Sequence, residues 1–154
     1  MPSLNVLKAA TMNAYGIPLA RAAAVFTGAS STPIYNVVGG RVAVKNVVGQ
    51  ITIAASGATN IHLQSNPTAV GYTTSNMCGV LAAAGLEVGT LLTIDGTIAT
   101  AMFGVNAGAA QGQNRDSIVP IGQIEFTLSG AQTISVSWLV HYVPIDTGAY
   151  LTVV

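Results

Sequence analysis

In the C-terminal third, Thr133-Ile-Ser-Val-Ser-Trp-Leu-Val-His-Tyr-Val143 places Ile134, Val136, Trp138, Val140 and Tyr142 on one side of an extended chain. A period of two suits a strand, whose side chains point alternately to opposite faces. It defeats a helix, whose faces repeat every 3.6 residues or so. The other side carries Thr133, Ser135, Ser137, Leu139 and His141. It starts polar and becomes mixed, which implies that its far end meets another surface. Pro144 stops the run because it lacks a backbone donor. Just upstream, Gln123-Ile-Glu-Phe-Thr-Leu128 sets Ile124, Phe126 and Leu128 against Gln123, Glu125 and Thr127, and Ser129-Gly130 opens a turn.

The same alternation recurs in Arg41-Val-Ala-Val-Lys45, Gln50-Ile-Thr-Ile53 and Asn60-Ile-His-Leu-Gln64, punctuated by Gly39-Gly40, Gly49 and Asn66-Pro67. Within Thr90 to Thr100, Asp95-Gly96 sits between two β-prone runs and predicts a tight hairpin, since glycine reaches positive φ freely. Ala149 to Val154 adds a short final strand. Ala82 to Leu86, bounded by Gly79 and Gly85, is too short for an amphipathic helix. About seven to nine short strands with glycine-rich turns predict an all-β fold: an antiparallel β-sandwich, jelly-roll-like, or a small barrel. Residues 1–32 differ, being rich in Ala, Ser, Asn and Thr without strand alternation. They read as an extended N-terminal arm that orders against a neighbour. A short helix over Pro18 to Phe26 is the alternative. The expected organisation is therefore an arm at 1–32 and a β-domain at 33–154.

Charge is the second constraint. Ten of 154 residues are charged: Lys8, Arg21, Arg41, Lys45, Glu87, Asp95, Arg115, Asp116, Glu125 and Asp146. That is 6 %, against about 25 % in an ordinary soluble domain. Since charge keeps dissolved surfaces apart, such a surface is suited to contact with other protein. Five scattered cations provide no basis for nucleic-acid binding or for docking on anionic lipid. No apolar run approaches the length of a membrane span. Asn5, Lys8, Asn13, Gly16, Pro18 and Arg21 interrupt any signal-peptide core, so the N-terminus reads as part of a mature protein made in a cytoplasm.

Chemistry-bearing residues are sparse. His62 and His141 lie in separate predicted strands without a clustered carboxylate, and read as strand residues, not metal ligands. Asp95 belongs to its turn, Glu125 to a polar strand face, and Arg115-Asp116 to a solvated loop pair or an inter-subunit ion pair. The single Cys78 excludes an intrachain disulfide and reads as a small buried residue. The chain has no G-x-S-x-G elbow and no Walker loop. The stretch from Gly104 to Gly112 lacks the lysine and helix of a phosphate loop and reads as a long loop. The expectation is no catalytic, cofactor-binding or metal-binding residue. Trp138 continues a core face, while Tyr35, Tyr72 and Tyr150 fall near predicted turns or strand ends and are candidates for contact surfaces.

Several segments carry a resemblance. They are Ile34-Tyr-Asn-Val-Val-Gly-Gly-Arg-Val42, Val47-Val-Gly49, Ala58-Thr-Asn60 with Asn66-Pro-Thr68, Gly89-Thr-Leu-Leu-Thr-Ile94, Val119-Pro120 with Gly122-Gln-Ile124, and Trp138-Leu-Val-His-Tyr-Val-Pro-Ile-Asp146. In order and texture, the run from Pro33 to Asp146 resembles a family of small structural proteins of tailed bacteriophages. The resemblance implies a non-enzymatic virion protein that decorates and cements a capsid. Its partners would be the major capsid protein and its own copies in a homo-oligomer, a trimer being favoured. The implied location is the capsid surface of the virion. Alternatives are a phage tail or head-fibre component, or a carbohydrate-binding β-sandwich module using Tyr72 or Tyr150.

Overall fold

Alternating Val, Ile and Thr residues bounded by glycine turns fold into strands because branched side chains pack well on a pleated surface. The computed structural model describes residues 14–106 and 108–154. Its twelve strands are β1 (Ile17–Thr27), β2 (Ser30–Val38), β3 (Val42–Ile53), β4 (Asn60–Pro67), β5 (Ser75–Asn76), β6 (Leu81–Ala82), β7 (Leu91–Thr93), β8 (Phe103–Val105), β9 (Ser117–Val119), β10 (Gly122–Leu128), β11 (Thr133–Pro144) and β12 (Tyr150–Val153). One sheet, sheet I, runs β1-β11-β3-β7-β8 with β9 also on β3; sheet II runs β12-β2-β10-β4-β5 with β6 also on β4. All these pairings are antiparallel. The two sheets share no strand ladder, so the fold is a β-sandwich and not a closed barrel. The strands beyond the expected number are two or three residues long, too short to show a period.

The core lies between the sheets. Ile134, Val136, Trp138, Val140 and Tyr142 of β11 are buried as the alternation predicts, and Ile124, Phe126 and Leu128 face them from β10. Phe126 makes edge-on contacts with Phe26 at 5.0 Å and with Trp138 at 5.2 Å, so one aromatic row joins the two sheets. Gly49 leaves the space that Trp138 fills: a Cβ there meets the indole ring at 2.7 Å.

Three expectations are corrected. First, residues 1–13 of the expected arm lie outside the described residues, but Ile17–Thr27 is strand β1 along β11, neither arm nor helix. The expected boundary at 32/33 falls inside β2. The alternation of β1 is masked by a bulge in which Ala22 and Ala23 together oppose Ser137. Partly buried Ile17 and Leu19 therefore lose phase with Ala24 and Phe26, and Arg21 occupies an inward position between them. Second, the runs at 41–45 and 50–53 are one strand, β3. A register shift at Lys45 moves the inward set from Val42 and Val44 to Val47, Gly49 and Ile51. Third, Asp95-Gly96 does not close a two-residue hairpin. β7 and β8 do pair, but Ile94 to Met102 intervene. Gly96, at φ 87°, instead packs against the Arg115 carbonyl, where a Cβ has no room.

Candidate interaction surfaces

Cross-strand partners in an antiparallel sheet share a face, so the registers define the two outer surfaces of the sandwich. On sheet I, Ala20, Leu139, Val48, Thr93 and Phe103 form one row across all five strands. Ser137, Gln50, Leu91 and Val105 form the next, and Val25, Ser135 and Ile53 a third. None of these residues is charged. Val25 and Ile53 are more than half exposed, and Leu139 and Val48 remain partly exposed in the middle of the sheet.

Sheet II presents the opposite chemistry. Its outer rows are Thr152, Asn36, Gln123 and Asn66; Pro33, Glu125, Gln64 and Asn76; and Ser31, Thr127 and His62. These side chains bond to one another. Gln123 Nε2 donates to Asn36 Oδ1 at 3.1 Å, Thr74 Oγ1 to Asn66 Oδ1 at 3.0 Å, and Ser31 and Thr127 share a bond of 2.9 Å. Glu125 lies on the polar strand face, as expected, and is only 5 % exposed. Its carboxylate accepts from Gln64 Nε2 at 2.5 Å and Asn66 Nδ2 at 2.9 Å, so amides in place of a cation compensate its burial. The signal was present in part: apart from His62 and Glu125, the outward positions of the alternations at 60–66 and 123–127 are amides and hydroxyls.

The sheet edges are unsuited to strand addition. β1 is long but carries the Ala22–Ala23 bulge and Pro18, β12 has four residues, and β5, β6, β8 and β9 each have two or three. Short or bulged edges resist pairing with another chain, which leaves faces and clefts for contact.

The remaining chemistry-bearing residues are dispersed. His62 lies on sheet II, where burial lowers its pKa against the hydrogen bonds of Gln64 and Asn76. His141 lies on sheet I and lines a cavity with Tyr15, Lys45, Asn46, Gln113 and Asp116. Asp116 pairs with Lys45 at 2.8 Å, not with its neighbour Arg115. Asp95 accepts from Thr97 and Asn114, which lower its pKa and hold the loop. Asp146 pairs with Arg41 at 2.7 Å. Among the described residues no group of three or more His, Cys, Asp or Glu is arranged to hold a metal. Cys78 is fully buried and its thiol is pushed up to about 11 by that burial. Tyr35, expected at a contact surface, is instead in the core, where its hydroxyl donates to the Leu19 carbonyl at 3.1 Å and burial raises its pKa. Tyr72 and Tyr150 are both about half exposed.

Tyr72 borders two adjoining cavities. The larger, about 350 Å³, opens between β4–β5 of sheet II and β9 with the Gly96–Ile98 loop of sheet I. The smaller, about 180 Å³, lies between Tyr72, Pro120, Ile121 and the Arg41–Asp146 pair. Ser65, missed in the sequence, is at the floor of the larger one. Its signal is a hydroxyl at the third inward position of the run Ile61, Leu63, Ser65.

The class defined by these features is a two-sheet antiparallel sandwich with one apolar and one polar outer surface. No protein-family model matches the chain, and no curated protein matches its sequence.

Proposed function

We propose that this chain is a non-enzymatic structural protein of a bacteriophage particle, which decorates the capsid and cements neighbouring capsid subunits. The observation that carries the reading is the outer face of sheet I, where three successive rows, crossed by Ala20, Leu139, Val48 and Phe103, carry no formal charge and the Lys45–Asp116 pair lies to one side beside His141. Rows without formal charge meet a neighbouring copy without like-charge repulsion, and their apolar side chains gain from leaving water. Sheet I is therefore the surface through which copies of the chain assemble. The self-bonded face of sheet II has little to gain from a partner, because its polar groups already satisfy one another. Copies joined in this way attach to a repeating shell at several points, and weak contacts multiply when they act together. The virion location rests on the resemblance of residues 33–146 to phage structural proteins.

Mass photometry of the purified chain, followed by co-sedimentation with capsids, tests the reading. The expected result is a stable small oligomer, a trimer, that binds intact capsids and leaves free capsid monomers alone. A strictly monomeric protein that does not bind capsids overturns it.

A further inference from the structure

The cleft at the open edge of the sandwich is independent of the assembly face and has its own chemistry. Ser65 sits on the inward side of β4, opposite Ile124, and is 5 % exposed. Its Oγ finds no hydrogen-bond partner in the protein and lies at the floor of the larger cavity. A buried hydroxyl without a partner is uncommon in a folded interior, and in a cleft it marks a position where a ligand group completes the bond. Above it, the rim is apolar: Tyr72 is 54 % exposed, Ile98 64 % and Ile118 66 %. Ser75, the cross-strand partner of Ser65, and Ser117 also line the cavity and supply neutral donors and acceptors.

Tyr72 and Pro120 line both cavities, so the two spaces form one groove with an aromatic waist. The charges along it are matched: Asp116 is held by Lys45 at one end, and Asp146 by Arg41 at the other. No unpaired charge selects an anion or a cation. A groove that offers an aromatic platform, apolar flanks and neutral hydrogen-bonding groups suits an extended ligand that is itself neutral, apolar on its ring faces and hydroxylated at its rims. A peptide strand is the poorer fit. It binds by extending a sheet edge, and the edges here are β5 with two residues and β9 with three.

We propose that the Tyr72 groove binds a neutral glycan chain, with a sugar ring stacked on Tyr72 and a hydroxyl bonded to Ser65 Oγ. Tyr150, on the opposite edge strand of sheet II, takes no part.

The probe is a panel of immobilised neutral hexasaccharides built from glucose, mannose, galactose or N-acetylglucosamine, read against the full chain by biolayer interferometry. Saturable binding to at least one of them is expected. Tyr72→Ala weakens it by about tenfold or more, Tyr72→Phe retains it because the ring remains, and Ser65→Ala weakens it by a few-fold. Tyr150→Ala leaves it unchanged. Both tyrosines are exposed, so their variants remain folded, and a circular-dichroism melt verifies this. Failure to bind any member of the panel, binding that survives Tyr72→Ala, or capture of neutral extended peptides in place of glycans would each overturn the proposal.

Discussion

The two outer faces of the sandwich are built on the same pleated backbone and follow opposite rules. On sheet II, the outward side chains of β2, β10 and β4 bond across the strands and surround the Glu125 carboxylate with amides. On sheet I, the outward rows of β1, β11 and β3 are mainly Ala, Leu, Val, Ile and small hydroxyls with Gln50 among them, and Asn46, His141 and Lys45 stand to one side; the bond from Thr52 to Ser135, at 2.7 Å, joins two side chains there. A self-satisfied polar surface is stable facing water. An uncharged apolar one gains by being covered. Both faces are poor in charge, but the outward positions are mainly apolar on one and filled by bonded amides and hydroxyls on the other.

The sharpest way to break this contrast is to place a charge on each face in turn. Leu139→Asp on sheet I is expected to raise the dissociation constant for self-association by about 100-fold or more, since a carboxylate is then buried unpaired at the contact. Gln123→Asp on sheet II is expected to leave the oligomer intact. Analytical ultracentrifugation across a dilution series distinguishes the two, and equal effects would erase the distinction between the faces.

A smaller effect concerns stability. Glu125→Ala removes the acceptor shared by Gln64 and Asn66, and is expected to cost about 1–3 kcal/mol in urea denaturation. Ser137→Ala, at the corresponding central position of sheet I, is expected to stay within about 0.5 kcal/mol. If the serine variant proves the more damaging, polar bonding does not distinguish the surfaces.

The smallest effect is a control on neither face. Arg41 hydrogen-bonds Asp146 and holds its carboxyl down at about 2, below the usual carboxylate range. The folded state binds this proton less readily than the unfolded chain does. The stabilisation is thus complete above about pH 4 and is lost as pH falls through about 2. The melting temperature of Asp146→Asn is expected to lie slightly below that of the parent protein at neutral pH and to converge with it near pH 2. The pair is exposed, so the gap is small. A constant gap down to pH 2 would remove the ion pair as its source.

Much of the fold was legible because β10 and β11 alternate cleanly over their length, and burial follows that alternation except at Glu125 and Ser135, which neighbouring side chains cover. β1 was not, because its bulge shifts the period halfway and Arg21 sits on the inward side, tethered by Nε to the Val154 carbonyl at 3.2 Å and lying over the Phe26 ring. The unity of β3 was hidden in the same way by Lys45. The candidate surfaces were half legible. Tyr72 was expected near a turn and is exposed at the rim of a cleft, while Ser65 looked like one more hydroxyl.

Periodicity is a local property, and it alone settled that this chain forms sheets and which residues of β10 and β11 line a core. Everything that makes a surface here is non-local. Glu125 and Gln64 are separated by 61 positions, Lys45 and Asp116 by 71, and Gln123 and Asn36 by 87. Which strands become neighbours, and so whether outward side chains meet a partner, an apolar row or the mouth of a cleft, is decided by sheet order and register. Those are set by how the two sheets close over a shared core, an outcome that no short stretch of residues encodes by itself.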